Sequence, residues 1–279
     1  MRHDTAVAPV AALLLAACAG PSPSASSSHA AKTIKVAGVQ YAAGSHAKVS
    51  PACAGASSPD NCAVRALVDR AAAQGAALVV TPEYGLDQDL LEPDPQVGQD
   101  PCAAGSAGGA LVRAFSKQAR QRSLFVVINL QTCSGSGAGK QIYNSQVALG
   151  PDGTVRAVHH KFELFAGESA KLTPGQGGTV FKAPFGTVGL LICADLYGDL
   201  RLHHELTHTR GARLVAVSSY WTAPGAASWQ QHFARNWGVH VVGANTTAGP
   251  GKGGGVFDPE GRTLARRSTP GLVIAPIKL

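Results

Sequence analysis

Apolar and polar positions follow two periods along this chain. "IKVAGVQ" (34–40) alternates as a strand does, and "DNCAVRALVDRAAAQGA" opens on capping residues before the helical spacing Val64, Leu67, Val68, Ala71, stopping at Gly75. "ALVVTPEYG" reads as a short buried strand running into a proline turn, "ALVRAFSKQARQRS" as a helix, and "LFVVINL" as another buried strand. Strand and helix alternate this far, which predicts a layered α/β fold. The middle changes character. "IYNSQVALGPDGTVRAVHHKF" is predicted as two strands around "GPDG", and "TVFKAPFGTVGLLIC" as a second hairpin through "PFG". A helix is then expected over 197–210, a strand at "RLVAVSS", a helix over 226–237 and a strand at "VHVVGAN". "GGGVFDPEGRTLAR" is a further hairpin, and a last strand covers 272–277. Hairpins and buried strands flanked by helices predict an α/β sandwich with mixed sheets.

The first residues follow a different pattern. Arg2 precedes an apolar run over 6–17 broken by Pro9, too short to span a bilayer and suited to a signal-peptide core, although Asp4 weakens its charged end. The run ends in "LAAC", which resembles a bacterial lipobox. Residues 1–17 are therefore expected to be a lipoprotein-type signal peptide with lipidation at Cys18, an ordinary cleaved signal being the alternative. The Ser/Pro/Ala-rich 18–32 reads as a flexible tether, leaving 33–279 as one domain. The expected location is extracytoplasmic, anchored to the cell membrane by lipid, or else secreted.

Export changes the meaning of the cysteines. Without Cys18, the six leave Cys53, Cys62, Cys102, Cys133 and Cys193, an odd set in an oxidising compartment. Cys193 is the natural free thiol. The other four lie in Gly/Ser/Pro-rich segments that read as surface loops. Three pairings are open, and Cys53–Cys62 with Cys102–Cys133 is favoured because the first closes a short local loop. No cysteine or histidine spacing suggests structural zinc. The net charge of +7 is spread along the chain without a basic block, which disfavours a nucleic-acid partner.

The stretch "FGTVGLLICADLYGDL" leaves Cys193 two readings, a buried apolar residue or a nucleophile facing a cleft. Glu83 after "LVVTP" and Lys161 after "VRAVHH" also sit at predicted strand ends, where α/β sheets place ligands. Singly, Glu83 is an exposed loop acid and Lys161 a solvated surface lysine. Together the carboxylate supplies a general base, the thiol a nucleophile and the ammonium an oxyanion partner. Asp195 reads as a cap or support for the following helix, and His159 and His160 as strand-end neighbours.

Over about 33–277 the chain resembles the nitrilase, or carbon–nitrogen hydrolase, superfamily, and within it the vanin and biotinidase branch. "VVTPEYG", "YNSQVALGPDGTVRAVHHKFELFAGE", "FGTVGLLICADL", "VSSYW", "NWGVHVVGAN" and "GGGVFDPEGRTLA" carry the resemblance. It implies an α-β-β-α sandwich and hydrolysis of a non-peptide amide by a Glu83–Lys161–Cys193 triad without a cofactor. It also implies an oxyanion donor at the Ala194 N–H and a second glutamate at Glu168, with Glu163 as competitor. Tyr84, Asn144 and Trp221 become pocket residues. A small-molecule amide is the implied partner, and a homodimer is an open possibility from the family. The large second domain of vanins and biotinidase is not expected in this sequence, so the resemblance does not fix the substrate: pantetheine-like, biotinyl and simple aliphatic amides all stay open. Nitrile hydrolysis and N-acyl transfer would use the same site; a non-enzymatic binding protein leaves the triad unexplained. "HELTH" (204–208) matches the zinc-protease pattern H-E-x-x-H, but Leu214 stands where a third histidine would be needed. Its plain reading is a solvated helix with Leu202 and Leu206 turned inward.

Overall fold

The computed structural model describes residues 32–86 and 107–279. The expected signal peptide, Cys18 and Cys102 lie outside them. In chain order the elements are β1 (Thr33–Gln40), a short α1 (His46–Val49), α2 (Pro59–Ala73), β2 (Ala76–Val80), α3 (Ala107–Arg122), β3 (Phe125–Ser134), β4 (Gln141–Leu149) and β5 (Val155–His160). There follow β6 (Thr179–Ala183), β7 (Gly186–Ile192), α4 (Leu200–His204), β8 (Leu214–Ser219), α5 (Ala226–Trp237), β9 (His240–Asn245), β10 (Gly254–Phe257), β11 (Thr263–Arg267) and β12 (Gly271–Lys278).

The strands run in the order β5-β4-β3-β2-β1-β9-β8-β7-β6, with β12 beside β1 and β10 between β9 and β11. The β1–β9 join is one residue pair, Gln40 opposite Asn245. The sheet therefore folds into two halves that face each other. Side-chain alternation shows this directly. In β2, Leu78 and Val80 pack into the layer between the halves while Val79 packs under α2 and α3. In β8, Leu214 and Ala216 enter the same middle layer while Val215 and Val217 pack under α5. Strands covered on both faces read as unbroken apolar runs, which explains "ALVV" and "LVAV". The result is the α-β-β-α sandwich with mixed pairing. The seam tolerates no side chain at Gly38, where a Cβ would lie 2.4 Å from the Gly243 carbonyl oxygen.

Two expectations are corrected. The helix predicted over 197–210 starts later, at Leu200 after a separate tight turn (Cys193–Leu196), and it widens from α4 into a π-type turn over Glu205–Thr209. Asp199 sets that start by capping α4, its Oδ1 accepting the Arg201 N–H at 2.7 Å. The wide turn closes through Arg210 N–H to the Glu205 carbonyl at 2.8 Å. The cysteine segments are also not plain surface loops. Cys53 is buried in a helical turn begun by Pro51, Cys62 lies in α2, and Cys133 lies in β3. A disulfide joins Cys53 to Cys62. Cys133 is also disulfide-bonded, and pairing with Cys102 falls outside the described residues.

Candidate active site

Three strand ends meet on one side of the sandwich. Glu83 lies just beyond β2, in a turn whose next residue, Tyr84, has φ +51°. Lys161 directly follows β5, and Cys193 directly follows β7. Cys193 itself has φ +45°, a left-handed conformation that a residue with a Cβ adopts only where its surroundings hold it there. It is the one free cysteine among the described residues.

Glu83 and Lys161 are each 1% exposed, while the thiol keeps partial access. Buried charges persist when paired and hydrogen-bonded, and here both conditions are met. Glu83 Oε1 accepts from Lys161 Nζ at 2.8 Å and from Asn144 Nδ2 at 2.7 Å. Its Oε2 accepts the Tyr220 N–H at 2.8 Å. The Cys193 sulfur lies close enough to the Glu83 side chain and to the same Tyr220 N–H for both to act on its ionisation. Lys161 also reaches Glu168, at 3.0 Å to Oε1 and 2.9 Å to Oε2. Glu168 is in turn fixed by the Tyr84 hydroxyl at 2.5 Å and the Phe165 N–H at 2.7 Å. Glu163, the competitor, turns away and accepts the Asp199 N–H at 3.1 Å.

The electrostatics follow from this arrangement. Burial pushes the Cys193 thiol well above the ordinary thiol range; the Glu83 charge adds to the rise and Lys161 opposes it. The sulfur thus sits between a carboxylate that opposes its ionisation and an ammonium that favours it. Burial works to lower the Lys161 ammonium, but Glu83, Cys193 and Glu168 outweigh it and the pKa rises. Lys161 thus stays a cation. The Tyr84 phenol is raised by burial and next by Glu83, which keeps it a donor.

Of the expected pocket residues, Asn144 and Tyr84 belong to this network, with Asn144 Nδ2 also donating to the Tyr84 hydroxyl at 3.1 Å. Trp221 stands one residue beyond Tyr220, its ring 5.3 Å from that of Tyr197. Ala194 is buried in the turn after the thiol. Sequence reasoning missed three contributors. Asn129 donates from Nδ2 to Asn144 Oδ1 at 2.7 Å and accepts the Tyr84 N–H at 3.2 Å. Tyr220 acts through its backbone, which leaves no side-chain signature.

Asp195 is the third. It does more than cap the turn after Cys193: Oδ2 accepts the Ile192 N–H at 2.9 Å and meets His159 Nε2 at 2.9 Å, and Oδ1 accepts the Phe162 and Glu163 N–H groups at 3.0 and 2.8 Å. One fully buried carboxylate therefore ties the turn carrying Cys193 to the residues on both sides of Lys161.

"HELTH" does not converge. The rings of His204 and His208 stack face to face, 4.7 Å apart, on the exposed surface, and Glu205 pairs with Arg210 at 2.6 Å. Among the described residues no group of three or more His, Cys, Asp or Glu side chains could hold a metal ion. A cleft of about 370 Å³ beside them, lined by Leu200, His204 and Trp237, includes none of the clustered residues above.

Comparison with known proteins agrees with the architecture. A family model described as carbon–nitrogen hydrolase matches residues 15–279. A pantetheinase of Mus musculus is 32% identical over 148 residues, 45% of this chain but 29% of that protein. An omega-amidase of Bos taurus is 29% identical over 182 residues, 59% of each chain. The chain thus spans less than a third of the pantetheinase it matches. The solved amidase from Nesterenkonia sp. superposes with a TM-score of 0.70 at 22% identity, covering 88% of this chain and 90% of that one, a likeness of fold.

Proposed function

The chain belongs to the carbon–nitrogen hydrolase family, and from that premise we propose that it hydrolyses a small, non-peptide amide through a thioester on Cys193. The observation that carries the reading is Glu83, buried, hydrogen-bonded to Lys161 and close enough to the Cys193 thiol to act on its ionisation. Glu83 takes the S–H proton as the sulfur attacks the amide carbonyl carbon. The carbonyl π electrons move onto oxygen, and the oxyanion is held by Lys161 Nζ and the Ala194 N–H. When the tetrahedral adduct collapses, the C–N bond breaks and Glu83 returns its proton to the leaving nitrogen. Water then attacks the thioester as Glu83 accepts one of its protons. The C–S bond breaks, the acid leaves, and the sulfur regains its proton from Glu83. Glu168 holds Lys161 beside the reacting oxygen. No step calls for a cofactor.

The test is a panel of amides and nitriles assayed with wild type and Cys193→Ala. Amine or ammonia release from amides, lost in the alanine variant, supports the reading. Release undiminished in that variant rejects it.

We further propose that the chain works outside the cytoplasm, tethered by a lipid at Cys18. The Cys53–Cys62 disulfide and the oxidised state of Cys133 support export, since such bonds persist in oxidising compartments. Fractionation of cells expressing wild type and Cys18→Ala tests it: membrane-bound wild type and a released variant are expected, and equal partitioning contradicts the tether. A second copy of this chain is the remaining proposed partner, and sedimentation would detect it.

A further inference from the structure

Three aromatic rings beside the nucleophile have no part in the chemistry above. Tyr197, Trp221 and Trp229 touch one another, with ring centroids 5.3, 5.4 and 6.1 Å apart. Tyr197 is 39% exposed, Trp229 is 40% exposed, and Trp221 is half-buried. Single exposed aromatics need no explanation, but a contiguous apolar patch at the edge of a catalytic site does.

The patch is continuous with that site at two points. Tyr197 closes the turn that starts at Cys193, its N–H donating to the Ala194 carbonyl at 3.2 Å. Its phenol is raised chiefly by burial and next by the charge of Cys193. Trp221 directly follows Tyr220, the residue whose N–H is donated to Glu83. The Trp221 backbone is also fixed from both sides by one fully buried amide. Its N–H donates to Asn245 Oδ1 at 2.8 Å, and its carbonyl accepts from Asn245 Nδ2 at 3.1 Å. A wall held this way loses little freedom when a ligand lies against it.

Geometry and charge narrow the ligand. Rings packed within about van der Waals reach of one another leave no gap for a cation to sit among their faces, so this is not a cation cage. The charged groups set around the nucleophile include Glu83, Lys161 and Glu168. Lys161 is already engaged by Glu83 and Glu168. A carboxylate on the substrate would meet acids here and no uncommitted ammonium in that set. A neutral apolar group is what the wall can take.

We propose that Tyr197, Trp221 and Trp229 form a substrate subsite for a neutral aryl or extended alkyl group. The chain then prefers amides carrying such a group to small aliphatic amides and to amides bearing a carboxylate. This rests on the amidase reading, and the experiment separates the two.

Turnover of 3-phenylpropionamide and acetamide is compared in wild type, Trp229→Ala and Trp229→Phe. In parallel, binding of 3-phenylpropionamide is measured by calorimetry in Cys193→Ala, with and without Trp229→Ala. Wild type should favour the aryl amide by at least about tenfold in kcat/KM, the scale that pocket contacts supply. Trp229→Ala should shrink that ratio about fivefold or more and weaken binding comparably, and Trp229→Phe should restore most of both. Loss of binding in Trp229→Ala without any wild-type turnover would keep the subsite and remove the amidase reading. Amide turnover whose ratio and binding ignore residue 229 would overturn the subsite alone. Circular dichroism of each variant separates misfolding from lost contact, and Trp229→Phe carries the test if Trp229→Ala fails to fold.

Discussion

Two parts of this molecule carry residues that read as catalytic, and only one is built as a site. "HELTH" places its histidines one turn apart in sequence, yet their rings stack on the surface and Glu205 is spent on Arg210. Glu83, Lys161 and Cys193 are far apart in sequence, yet the ends of β2, β5 and β7 bring them into one buried network. Local spacing is inexpensive for a sequence to produce by chance. Burying a carboxylate and an ammonium with their hydrogen bonds satisfied is not, because unpaired buried charge costs several kcal/mol.

The sharpest way to break this contrast is substitution on both sides of it. Cys193→Ala should lower kcat/KM for amides by about 10⁴-fold or more. His204→Ala with His208→Ala should change it by less than about twofold, as surface substitutions do, and a chelator should have no effect. Steady-state assays decide. Next in size, Lys161→Met should lower kcat by about 10²–10³-fold, the loss expected when an oxyanion donor goes.

The third prediction concerns pH. The Glu83 charge raises the thiol, so Glu83→Gln should shift the midpoint of Cys193 alkylation to lower pH even as amide turnover is lost. Lys161 lowers the thiol, so Lys161→Met should shift the midpoint up. Iodoacetamide labelling rates across pH, read by mass spectrometry, give both signs.

The fourth compares stability. Asp195→Asn breaks into a fully buried brace and should destabilise the fold by about 3 kcal/mol. Glu205→Gln removes a partly exposed pair and should cost under about 1 kcal/mol. Denaturant midpoints measure the difference.

Much of this was legible in the sequence because burial on both faces forces strands into apolar runs. Val64, Leu67, Val68 and Ala71 set the inner face of α2, and all four are buried. Glu83, Lys161 and Cys193 stood out as reactive residues that each follow such a run. What remained hidden acts across the fold or through the backbone. The Tyr220 N–H has no side-chain signal, and Asn129 reads as an interior residue of an apolar strand. Asp195 sits two residues from Cys193, but its partners His159, Phe162 and Glu163 lie on a different strand end. The helix expected over 197–210 starts only at Leu200 because Asp199 caps it there, a side-chain bond that the apolar spacing does not show.

The central claim is that the sulfur of residue 193 carries the reaction. Its most direct test plots residual amide hydrolysis against the fraction of Cys193 carbamidomethylated, with the modified peptide quantified by mass spectrometry. The account predicts a straight line that reaches zero at full labelling of that one thiol. Hydrolysis that persists in protein fully alkylated at Cys193 would contradict it.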